Sequence, residues 1–238
     1  MAFPLEVTAV VPALAIGYAL LARRCRPSRP RALLFALALA LVLASFATPL
    51  ERLALHRLLT AHLLQNVVLA EWAPALLVLA VPPALARRVP RPNPFATLVV
   101  WLGTYFLWHL PVAYDAALRR PDSVLLAEHV CYLVAGLALW WPVVHGGLSN
   151  GARALYLFAA FVLASPLGLM LALLPRAAYS FYADAPRLWG VSALTDQQIA
   201  GVTMAAEQAV VFFVVCAIQF SRFLQEESGR EAFRSFSR

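Results

Sequence analysis

The chemistry this sequence can offer is concentrated in a few imidazoles. There are only five histidines in 238 residues. His56, His62, His109 and His129 fall at or near like-sided ends of long apolar runs, and only His145 falls at the opposite end. If the runs cross a membrane, His62, His109 and His129 come from three helices at one face. Met204 joins them from a fourth, about one to two turns below the surface. Imidazole and thioether ligands suit copper, the thioether Cu(I) in particular, while imidazole alone also suits zinc.

Each candidate ligand has polar company. His62, Gln65 and Asn66 lie at i, i+3 and i+4 and share one helix face. The bland alternative is a hydrogen-bonded cluster that packs membrane helices. His109 stands in WHLPVAY, between two aromatics typical of membrane interfaces, just before the helix-ending Pro111. Glu128 precedes His129, and adjacent side chains diverge by about 100° on a helix. Glu128 is therefore a candidate to hydrogen-bond a ligand imidazole on a neighbouring helix and fix its tautomer. Asp196 is expected to cap the start of the last apolar helix. Gln197, Gly201, Met204 and Gln208 form a stripe along that helix at helical spacing. From spacing alone, Met204 reads first as a core gap-filler. His56 and His145 have no companions and are set aside. Glu71 and Glu207 fall inside apolar runs, where a carboxyl is costly and marks a functional position by default. Glu71 lies nine residues after His62, out of phase with it, and has no evident partner.

The elements that must hold these residues are membrane helices. Hydrophobic residues make up 62% of the chain and charged residues 13%, about half the share of a soluble domain. Seven runs approach the roughly 20 apolar residues a crossing helix needs, at about 7–22, 31–48, 58–81, 95–112, 124–144, 154–174 and 198–220. The expectation is an all-α polytopic bundle of seven transmembrane helices in one integral-membrane domain, 1–238. Residues 221–238 form a polar cytoplasmic tail that suits an amphipathic surface helix. The opening MAFPLE has no basic residue, so the first run reads as a retained span. The aromatics of the long stretch before the last span are expected at the membrane interface. Pro12, Pro74 and Pro166 interrupt spans and are expected to kink them.

The charge pattern orients the bundle and excludes one class of partner. All 19 basic residues are arginine. Arg52, Arg57, Arg119, Arg120, Arg176 and Arg187 fall on one side of a seven-span bundle, and the other 13 fall on the opposite side. The positive-inside rule places the larger group in the cytoplasm, with the N-terminus outside and the C-terminus inside. The net charge of +7 then serves topology and lipid headgroups, with no nucleic acid required. Cys25, Cys131 and Cys216 form no CxxC pair. No HExxH, GxSxG or phosphate-binding loop is present, so no enzyme is expected. Bis-histidine haem ligation lacks a second set of histidines at the other face.

The order and placement of HLLQN at 62–66, WHLPVAY at 108–114, EH at 128–129, WWP at 140–142 and DQQIAG at 196–201 resemble the CtaG-like cytochrome c oxidase assembly proteins of bacteria. These are seven-span proteins of the inner membrane associated with caa-type oxidases. The resemblance implies an assembly factor that helps copper reach the CuB centre in subunit I of a haem–copper oxidase. A periplasmic donor would supply the metal. His62, His109, His129 and Met204 are the implied Cu(I) ligands, supported by Gln65, Asn66, Glu128, Asp196 and Gln197. Two positions depart from the family pattern. Asn66 stands where a second histidine often follows the first, and Ala205 stands where tryptophan often follows the methionine. Two other roles fit the same residues. One is a membrane transporter of copper or another small solute, with Glu71 and Glu207 as intramembrane coupling groups. The other is a metal-free scaffold.

Overall fold

The computed structural model describes residues 4–236. Among them every regular element is a helix. These are α1 (Glu6–Cys25), α2 (Arg29–Phe46), α3 (Pro49–His56), α4 (Leu59–Ala80), α5 (Pro83–Ala86) and α6 (Pro94–Trp108). They continue with α7 (Pro111–Arg119), α8 (Pro121–Val144), α9 (Asn150–Leu173), α10 (Ser180–Ala183) and α11 (Ala193–Phe236). Among the described residues, six helices are long and apolar enough to cross a membrane. The pair α6 and α7, bent by 72°, makes a seventh if read as one span. The all-helical expectation holds, and the expected span at 95–112 is instead a helix that breaks at His109 and Leu110.

The break has a local cause. Leu110 precedes Pro111, and the proline ring disfavours helical backbone at the preceding residue. Leu110 accordingly adopts an extended conformation, with φ −62° and ψ 130°. The helix end leaves carbonyls without intrahelical partners. One of them, on Tyr105, accepts a hydrogen bond from Nδ1 of His109 at 2.7 Å. The break thus turns the His109 ring onto its own helix end.

α4 is the central helix: 72% of its apolar window is buried, against 6% for α1. Its middle carries a π turn, Val68–Trp72. Pro74 has no N–H to give the carbonyl of Ala70 four residues earlier. The Trp101 indole reaches that carbonyl from α6 at 3.4 Å. Gly136 of α8 packs against the same carbonyl and the Pro74 ring, where a β-carbon would collide. At the other tight crossing, a β-carbon on Gly201 of α11 would lie 2.6 Å from the Ala172 nitrogen and the Gly168 oxygen of α9. Small residues at such points let membrane helices approach closely.

Two expectations about the periphery change. The tail is no separate surface helix, because α11 runs unbroken from Ala193 to Phe236. Its last two residues, Ser237 and Arg238, and the opening residues 1–3 lie outside the described residues. Of the aromatics before the last span, Tyr179 and Tyr182 pack inward rather than at an interface. They are 1% and 3% exposed, and Tyr179 stacks on Tyr114 at 4.0 Å. Their hydroxyls explain the difference: Tyr179 donates to the His109 carbonyl at 3.1 Å and Tyr182 to the Ala54 carbonyl at 2.5 Å. Burial raises both phenol pKa values and keeps these donors protonated.

Candidate functional site

A buried polar layer lies near the end of the bundle where α1 begins. His62 projects from the first turns of α4 with no exposed surface, and neither ring nitrogen has a hydrogen-bond partner. Tyr114 of α7 packs edge-on against it at 5.1 Å. Glu128 of α8, also fully buried, places Oε1 3.6 Å from Nε2 of His62. The same carboxyl oxygen accepts from Nδ2 of Asn66 at 3.0 Å. Glu128 thus faces His62 on the neighbouring helix, away from His129 beside it in sequence. Asn66 orients that carboxylate, and its own Oδ1 is unpartnered.

His129 sits on the far side of His62, with ring centres 6.0 Å apart. Its Nδ1–H donates to Oε1 of Glu6 at 2.6 Å, and its Nε2 is buried without a partner. His109 repeats the arrangement. Its Nδ1 is held by the Tyr105 carbonyl, with the Tyr132 hydroxyl 3.2 Å away, and its Nε2 is buried and bare. A hydrogen bond from one ring nitrogen fixes the tautomer and leaves the lone pair on the other, the usual preparation of a metal-binding imidazole.

The three rings share one layer without forming a closed cage. Two imidazoles bonded to one ion at about 2.0–2.1 Å have ring centres no more than about 6.3 Å apart. His62 and His129 meet that limit. His109 approaches the pair through Tyr114, which lies 5.1 Å from His62 and 5.9 Å from His109. Among the described residues, no three His, Cys, Asp or Glu side chains are grouped closely enough to hold one metal ion. Met204 of α11 is 2% exposed. It faces a small cavity with His109, Asn66, Glu71 and Tyr132, with room for about one water-sized particle.

The expected supporting residues act mainly on the scaffold. Asp196 does not cap its own helix, where Ser192 accepts from the Thr195 nitrogen at 3.0 Å. Its carboxylate crosses to α4 instead. There it accepts from the backbone nitrogens of Leu59 at 2.6 Å and Thr60 at 3.2 Å, and from the Thr60 hydroxyl at 2.6 Å. It therefore satisfies the free N–H groups that open the helix carrying His62. Gln197 pins the segment before α10: it accepts from the Ala178 nitrogen at 2.6 Å and donates to the Leu171 carbonyl at 3.1 Å. Gln65 donates to the Ser45 carbonyl at 2.8 Å and to Oε2 of Glu51 at 2.6 Å.

Deeper in the bundle, Glu71 has the partner the sequence did not reveal. Gln208 donates to its Oε1 at 3.1 Å and also to the Tyr105 hydroxyl at 2.9 Å. Glu207 accepts from the Trp72 indole. At the other end, Nε2 of His145 meets the Val78 carbonyl at 2.9 Å, a structural contact.

Sequence reasoning missed Glu6, Glu51, Tyr114 and Tyr132. Glu6 carried a legible signal, an acid at the threshold of an apolar run. Tyr114 read as an interface anchor because only packing turns it inward, and Tyr132 carried no signal of its own.

Fold and site together define a polytopic membrane helix bundle with an internal layer of prepared imidazoles and carboxyls near one end. The chain matches the family model of the cytochrome c oxidase caa3 assembly factor (Caa3_CtaG) over residues 15–226, and it belongs to that family. The matched stretch contains every residue of the layer except Glu6. No curated protein and no solved structure matches the chain.

Proposed function

We propose that this oxidase assembly factor binds Cu(I) in the outer half of the bacterial inner membrane. It passes the ion to the CuB centre in subunit I of a haem–copper oxidase. The role is carriage, not catalysis. The excess of arginine at the opposite end of the bundle orients the imidazole layer outward, where a periplasmic donor can load it.

One observation carries the reading: His62, His109 and His129 each present a buried Nε2 with no hydrogen-bond partner. A buried polar atom without a partner is costly, and a ligand bonded to it recovers that cost. His62 and His129 are the primary pair, because Cu(I) is content with two ligands. His109 and Met204 form the next step inward, beside the small cavity. A site with few ligands releases its ion readily, as a carrier must. Asn66 fits this scheme as the residue that orients Glu128, not as a ligand, so the histidine missing at this position leaves the pair intact.

The test is Cu(I) binding by purified protein in competition with a coloured chelator. His62→Ala and His129→Ala are expected to lose binding while inserting normally, and oxidase from cells carrying them is expected to lack CuB. Undiminished binding in both variants overturns the reading and leaves a metal-free scaffold.

A further inference from the structure

A cleft of about 700 Å³ opens at the end of the bundle beside the imidazole layer. The start of α1, the end of α2, α3 and the start of α8 form its walls. Three acids line it, Glu6, Glu51 and Asp122, against Arg52 and His56 on the wall formed by α3. The larger neighbouring cleft, about 870 Å³, has the opposite character: Arg52, Arg57 and Arg119 face a single acid, Asp184. A cation is thus repelled by one cleft and drawn to the other.

The acidic cleft is connected to the bare imidazoles by direct contacts. Glu6 lines it and binds Nδ1 of His129 at 2.6 Å. Glu51 lines it and binds the amide of Gln65 at 2.6 Å. Gln65 has no exposed surface, and the carbonyl oxygen of that amide head is unpartnered. Behind Glu6, the His129 ring leads to His62 at 6.0 Å. Oxygen ligands at the mouth therefore stand next to nitrogen ligands inside, with Phe46 packed against the His129 ring at 5.0 Å beside them.

We propose that the acidic cleft is the entrance by which a monovalent cation reaches the histidine pair, with Glu51 receiving it and Glu6 lowering the barrier for its passage to Nε2 of His129. The proposal rests on the copper-binding reading and adds its route. Glu6 has two tasks in it, holding the His129 tautomer and lowering the barrier for the incoming charge. The three acids outnumber Arg52 here, and such an excess of one sign in a cleft raises association rates, by up to about 10–10³-fold where one sign lines it throughout.

The experiment is rapid-filtration uptake of Ag(I), a redox-inert stand-in for Cu(I). The protein carries Cys25→Ala, Cys131→Ala and Cys216→Ala, so that no thiol competes. Glu51→Gln keeps the contact with Gln65 and removes the charge. Ala47→Trp fills the mouth from an exposed position. Both are expected to slow uptake roughly tenfold or more with the amount bound at equilibrium unchanged. Asp184→Asn, in the neighbouring cleft, is expected to leave the rate unchanged. Normal rates in Glu51→Gln and Ala47→Trp overturn the route while leaving the histidine site standing. Failure of the parent protein to bind Ag(I) overturns the site and the route together.

Discussion

The Glu6 carboxylate accepts the Nδ1 proton of His129 at 2.6 Å, joining residues 123 positions apart in the chain. The contact sets which nitrogen of His129 faces the interior. Glu6→Ala is expected to weaken Cu(I) binding by about 10–100-fold, the usual cost of losing a carboxylate behind a ligand histidine. Glu6→Gln is expected to recover part of it, because an amide oxygen still accepts from Nδ1. Equal affinities in Glu6→Ala and the wild type, by chelator competition, would remove Glu6 from the site.

Asp196 holds the opening turn of α4 from α11. Asp196→Ala strands buried N–H donors and is expected to cost about 1–3 kcal/mol. Thermal unfolding in detergent measures this, and Asp196→Asn should fall between the two. A midpoint unchanged in Asp196→Ala contradicts the cap across helices.

The α9–α11 crossing depends on Gly201. Gly201→Leu forces atoms into the Gly168 and Ala172 backbone and is expected to destabilise the bundle by about 1–3 kcal/mol or more. Gly103, which has open space around its position, should accept alanine at little cost. Comparable unfolding midpoints for Gly201→Leu and Gly103→Ala would contradict the close crossing.

Burial raises the pKa of Glu51 above its ordinary value, and its bond from Gln65 only partly opposes this. The folded state therefore holds the Glu51 proton to higher pH than the unfolded state does. Its stabilising contribution is complete below the ordinary carboxylate pKa and is lost as pH rises through the raised value. Glu51→Gln removes that dependence. The stability of the wild type relative to Glu51→Gln should decline as pH is raised from mildly acidic to neutral, measured by thermal unfolding. A constant difference over this range contradicts the burial effect.

The all-helical class, the long apolar helices and the family were legible in the sequence, because apolar runs of membrane length have few alternatives in lipid and the HLLQN, WHLPVAY and DQQIAG stretches are local. Pro111 was legible as a helix end, since it acts on its immediate neighbour, but the span expected to reach 112 breaks earlier, at His109 and Leu110. Distant partners were not. Asp196 looked like a cap for its own helix because sequence distance favours that reading, and only the approach of α11 to α4 gives its carboxylate the better donors on Leu59 and Thr60. Tyr179 and Tyr182 looked like interface anchors until the carbonyls of His109 and Ala54 appeared within reach of their hydroxyls.

By itself, then, the sequence determined that His62, His109 and His129 gather near one end of a helical membrane bundle, because helix length in a bilayer fixes depth. Only the tertiary structure decided which nitrogens are free. Helix rotation and packing choose what each ring meets: Glu6 accepts from His129, the Tyr105 carbonyl accepts from His109, and Glu128 comes to 3.6 Å from His62 without a hydrogen bond.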